Sequence, residues 1–151
     1  ALSAAHELLV QNGWRGILLD EVVTRAWADV EGTSTIRVDL DGPRVLLGPD
    51  VAQNVMLGAH ELVVAAASAK RSPERVIVSW AMLPDGGFRL EWRMVGSSSI
   101  EVSAFGHLLL RTVIPVVLDG EVTALDLSEA GFAYGVRGRV GPQLQPAQRS
   151  A

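Results

Sequence analysis

The stretch HELVVAAASAKRS, residues 60–72, begins as a helix that could do chemistry and then offers little to continue it. His60 and Glu61 stand side by side on an otherwise apolar segment, a pair able to hold a proton or orient a water. The next two turns supply Val63, Val64, Ala65, Ala66, Ala67 and Ala69, none of which can ligate a metal or a phosphate. Helical spacing places Glu61 and Ala65 one turn apart on one face with Ser68 beyond, so a stripe exists with its middle filled by a methyl group. Other chemistries find no support. There is no Gly-x-Ser-x-Gly elbow and no Walker Gly-Lys-Ser/Thr, and His6, His60 and His107 are too far apart in sequence to suggest a metal cluster. The glycine-rich GVRGRVGP reads as a terminal strand and exit, since a phosphate loop would have to open a helix.

The elements around that stripe follow from periodicity. Leu2, Ala5, Leu8 and Leu9 repeat at helical spacing up to Asn12-Gly13, and Val22, Val23, Ala26 and Val30 form the apolar face of a second helix over residues 20–29. TIRVDL and RVLL flank DGP and predict a strand hairpin. Asp50 with Gln53 three residues on has the form of a capping box, so a long helix is expected over residues 50–69 with Val51, Val55, Ala59, Leu62 and Ala66 inward. RVIVSWAM and FRLEWRM flank LPDGG, a strong hairpin signal. GSSS is a loop, a helix over residues 105–117 follows with Leu108, Leu109, Thr112 and Val116 inward, and EVTALDL and FAYGVRGRV are the last strands. Paired hairpins separated by helices predict an α+β, two-layer α/β sandwich: one mixed, mostly antiparallel sheet with helices on one face.

Composition agrees with one soluble domain. The chain has 151 residues, 48% hydrophobic and 20% charged, enough for one sizeable core. A net charge of −4 with scattered Lys and Arg argues against nucleic-acid binding, the absence of Cys excludes disulfides and thiolate metal sites, and no apolar run approaches membrane-spanning length. The start lacks both Met and the basic residues of a secretory signal and is already helical in pattern, which reads as a piece of a longer protein.

Several segments, in order, resemble the nucleotide-binding domain of HWE-family sensor histidine kinases, a branch of the Bergerat ATPase fold. AHELLVQNGWRG resembles the end of the dimerisation hairpin, DGPRVLLGPDVAQNVMLGAHEL the entry to the N-box helix, FRLEWRM the strand bearing a Trp-x-Glu, and AFGHLLLRTVI the glycine turn and following helix. The resemblance implies three parts: residues 1–12 as the end of a dimerisation helix, 13–140 as a degenerate ATP-binding-like domain and 141–151 as a flexible tail. It also implies ATP and Mg²⁺ as the family's ligands, the protein's own dimerisation hairpin and a response regulator as partners, and a cytoplasmic location without membrane contact by this domain.

Residue by residue, the likeness thins at the site. In the family an Asn in His-Glu-Leu-x-Thr-Asn supplies an oxygen to Mg²⁺, a hard cation that needs oxygen ligands, and here that position is Ala65, so no metal ligand is expected. Glu61 matches the family's base or water-positioning residue and is the candidate catalytic group. His60, Glu61, Lys70, Gly96, Phe105 and Gly106 are the residual nucleotide-site candidates. Met94 replaces the carboxylate of Trp-x-Glu, no Asp follows Gly96, and Ala104 replaces the first glycine of the turn, where a Cβ would restrict a left-handed backbone. Bland readings stand beside these. His60 suits a hydrogen-bonded structural role; Glu61 suits an exposed position on an amphipathic helix as well as a pocket. Lys70 and Arg71 suit capping of a helix dipole, and Trp80 and Trp92 suit packing on neighbouring strands. His6 matches a histidine of the family's second dimerisation helix, not a phospho-acceptor.

Overall fold

Alternation along the central strands lays one face of a sheet into the core and the other toward water. The computed structural model describes residues 16–30, 32–33, 35–126 and 131–147. In chain order the elements are β1 (Ile17–Leu18), α1 (Leu19–Ala28), β2 (Arg37–Asp41), β3 (Val45–Leu47), α2 (Pro49–Ser68), β4 (Arg75–Met82) and β5 (Gly87–Val95). There follow α3 (Ala104–Leu108), a π-helical turn (Leu109–Val113), α4 (Ile114–Val117), β6 (Glu121–Asp126), β7 (Phe132–Arg139) and β8 (Leu144–Pro146). The main sheet has the order β2-β4-β5-β7-β6, with β2 parallel to β4 and the other pairs antiparallel. The expected α+β sandwich with a mixed sheet is the fold found. A second sheet, β1-β3-β8, was not foreseen.

The expected β4–β5 hairpin forms, with Gly86 at φ 81° in its turn. Val76, Val78 and Trp80 stand opposite Met94, Trp92 and Leu90, and Phe132, Tyr134 and Val136 of β7 extend the row. All are buried together with the inward residues of the helices, while Arg89, Arg93 and Arg137 lie exposed on the other face. Trp27 of α1 stacks on Trp92 with ring centroids 6.2 Å apart and 11° between planes, so Trp92 is packing, as is the buried Trp80.

Four local expectations need correction. β2 and β3 do not form a hairpin. Trp80 fills the space beside Gly42 and its indole N–H donates to the Pro43 carbonyl at 2.7 Å, which carries the DGP turn onto β4 and sends β3 to the small sheet. Asp50 does not cap α2: the helix starts at Pro49 with Gly48 as N-cap, and the Asp50 N–H is met from far away by Gln143 Oε1 at 3.1 Å. The segment after Gly141 is not a flexible tail through its described part, because β8 pairs with β3, Leu144 is buried, and the Gly48 N–H donates to the Gln143 carbonyl at 2.9 Å. The dimerisation-helix expectation for residues 1–12 lies outside the described residues.

The last helix, fourth, turns a different face inward from the one expected. Leu108 is 52% exposed and Val116 72%, whereas Leu109, Leu110, Ile114 and Leu118 are buried. Both sets are helically spaced, and Gly58 of α2 selects between them, since a methyl there would come within 2.4 Å of Ile114 Cδ1. The π turn sends the Ile114 N–H to the Leu109 carbonyl, and Pro115 has no N–H to offer. The Leu110 carbonyl is left without a helical donor, and the Tyr134 hydroxyl donates to it at 2.7 Å.

Burial pushes the Tyr134 phenol above its ordinary 10.0. The native group stays neutral while the unfolded one ionises, so its contribution to stability is full below about pH 10 and is lost as pH rises beyond that. As Tyr134 is the chain's one tyrosine, ultraviolet titration should show no phenolate until alkaline unfolding begins. Tyr134→Phe should cost about 1–3 kcal/mol in urea unfolding at neutral pH, because it orphans a buried carbonyl. Leu144→Ala should cost about 2–4 kcal/mol by the same measurement, and an unchanged midpoint would show that β8 contributes nothing.

Candidate functional site

The C-terminal half of α2, the loop leaving β5 and the start of α3 meet around Glu61. Its Oε2 accepts from the Ser103 hydroxyl at 3.0 Å, and the Ser103 oxygen in turn accepts from the Gly106 N–H at 3.0 Å as the N-cap of α3. Gly106 is needed for this approach: a methyl there would lie 2.5 Å from Val102 Cγ1 and 3.4 Å from Glu61 Cβ. Glu61 and Gly106 are therefore brought together, and Ser103, overlooked in the sequence, joins them. Its signal was a serine at the position preceding a helix, three residues before the amide it accepts from.

The other candidates scatter. Ala65 is 6% exposed and belongs to the core that includes Ile100, with Val102 packed against it, so the metal-ligand position is filled by hydrocarbon. Met94 faces the same core opposite Val76 and Phe132. Ala104 has ordinary backbone, so the restriction expected of its Cβ does not arise. Phe105 is exposed, Lys70 is exposed and His60 is half-buried. Gly96 keeps a left-handed backbone at φ 82°, as a glycine turn requires. Arg71 does not serve the end of α2 with its side chain; the guanidinium donates from Nε to the Gly96 carbonyl at 3.0 Å and from Nη2 to the Ser97 carbonyl at 3.3 Å.

Two broader surface hollows surround the β4–β5 turn at the opposite end of the sheet. They are open and charged, and their groups neutralise one another, with Arg137 on Asp85 and Arg139 Nε 3.9 Å from Asp119 Oδ2. Among the described residues no His, Asp and Glu group has the geometry of a metal site, and no helix is long and apolar enough to cross a membrane.

Superposed on the blue-light activated histidine kinase of Erythrobacter litoralis, the chain gives a TM-score of 0.64 at 15% identity, covering 83% of this chain and 41% of that one. Likeness at that identity speaks for the backbone, and the backbone defines the class: this domain has the Bergerat-type fold of histidine kinase catalytic domains. Within that class the sequence is most similar to the HWE type. Residues 1–44 match the sequence profile of the HWE histidine kinase family. The blue-light-activated histidine kinase of Brucella ovis is 26% identical over 155 residues, covering 97% of this chain and 32% of the relative. That of Rhizobium johnstonii is 30% identical over 129 residues, covering 81% and 36%. The chain thus spans about a third of the length of these relatives.

Ser103→Ala should lower stability by about 1 kcal/mol through loss of the cap. The check is urea unfolding of Ser103→Ala beside Ser103→Thr, which keeps the hydroxyl and should keep most of the stability.

Proposed function

We propose that this domain serves two-component signalling as an HWE-type kinase-like module that binds Mg-ATP poorly and acts as a regulatory or docking domain. Its partners are then the dimerisation hairpin of its own protein and a response regulator, in the cytoplasm. The observation that carries the reading is Ala65, a buried methyl where the family places an oxygen ligand for Mg²⁺. Glu61, the one nearby carboxylate the family would use, is already engaged by Ser103. The residue set does not fit the metal.

A second reading is favoured by the names of the relatives, each a histidine kinase, and by the persistence of His60, Glu61, Gly96, Phe105 and Gly106. On it, the domain binds ATP with divergent residues and phosphorylates a histidine on a hairpin upstream.

Thermal unfolding with and without millimolar Mg-ATP separates the two. A ligand stabilises only through occupancy of the native state, so the first reading expects a midpoint unchanged to within about 1 °C. Ala65→Asn alone should not restore binding and should destabilise by about 1–3 kcal/mol, because it places an amide where hydrocarbon packs. Micromolar affinity for Mg-ATP in the unmutated chain would return it to the enzyme class.

A further inference from the structure

Between the end of α2 and the loop leaving β5 lies a set of hydrogen bonds centred on one residue. The Arg71 guanidinium holds the carbonyls of Gly96 and Ser97 at 3.0 and 3.3 Å. The Arg71 N–H donates to Ser98 Oγ at 3.0 Å, and the Ser98 N–H donates to the Arg71 carbonyl at 2.9 Å. Just beyond, the Glu74 N–H donates to the Val95 carbonyl at 2.9 Å and zips the two chain segments to the start of the sheet. Arg71 forms no ion pair among the described residues, so its charge is directed at the loop. Hydrogen bonds from a charged donor are the stronger kind, and a guanidinium can span two adjacent carbonyls as a single ammonium cannot.

The loop needs such a restraint. Gly96 is left-handed, and Ser97 is 2% exposed with no hydrogen-bond partner for its hydroxyl among the described residues, an arrangement that a free loop would escape by turning the side chain to water. A few residues on, the same loop delivers Ser103 to Glu61 and caps α3. We propose that Arg71 is an internal latch that orders residues 96–103 without a ligand, setting the Ser103–Glu61 contact and the start of α3 by the chain's own chemistry. The proposal rests on the reading above, that no nucleotide orders this loop, and its test is separable from the test of that reading.

The test is amide hydrogen exchange on the full 151-residue chain without nucleotide, comparing the unmutated protein with Arg71→Ala, Arg71→Lys and Ser98→Ala. Arg71→Ala should raise exchange across residues 96–103 by at least about tenfold while the β4–β5 ladder changes little. Arg71→Lys should resemble Arg71→Ala, and Ser98→Ala should raise exchange at the same loop to a smaller extent. Unchanged exchange in the loop, or a rise of equal size in β4–β5, would overturn the latch. Full protection with lysine would overturn the role of the fork. Should Arg71→Ala fail to fold, the lysine and Ser98 variants decide by the same criteria. A parallel Mg-ATP titration of the unmutated chain keeps the readings apart: tight binding there with a loop loosened in Arg71→Ala would defeat the proposed function and leave the latch standing.

Discussion

Most of this structure depends on helix α2 being buried on three sides. The sheet lies beneath it through Val55, Leu62 and their neighbours, α1 packs along one flank, and the α3–α4 helix packs along the other. In its buried surface α2 carries the small residues Ala52, Gly58, Ala59, Ala65 and Ala66. Gly58 makes room for Ile114, and that contact fixes the rotation of the last helix, the exposure of Leu108 and the burial of Leu110. A close-packed interior does not let one such position change alone.

Seen in this light, the alanines that follow His60 and Glu61 are packing residues as much as missing ligands. The carboxylate of Glu61 has been taken into the architecture. Glu61 secures Ser103, Ser103 caps α3, and Gly106 is small because the cap draws the backbone close to α2. Half-buried polar groups are usually hydrogen-bonded, and the partner of Glu61 comes from the chain itself.

The ends of the fold are coupled in a similar way. Gln143, far away in sequence, supplies the side-chain and backbone acceptors for the N–H groups at the start of α2, and β8 completes the sheet that begins with β1. The first four N–H groups of any helix need acceptors. Gly48 and Pro49 have no side-chain acceptor of their own, so the helix draws on Gln143, immediately before β8.

Local periodicity by itself determined α1, α2, the β4–β5 hairpin, the inward row Val55, Leu62 and Ala66, and the α+β class, because a helix or strand must bury one stripe of apolar side chains whatever its neighbours are. Ordered motifs were enough to suggest the histidine-kinase class and to mark Ala65 as a position without an oxygen. Tertiary structure alone decided the rest. The DGP turn looked like a hairpin until Trp80 claimed it; Leu108 and Val116 looked as apolar as Leu110 and Ile114 until Gly58 chose between them. Arg71 read as the cap of a helix dipole and Gln143 as part of a flexible tail until backbone groups distant in sequence came within their reach. Each is a choice between alternatives of nearly equal local energy, and only contacts between distant segments break such a tie.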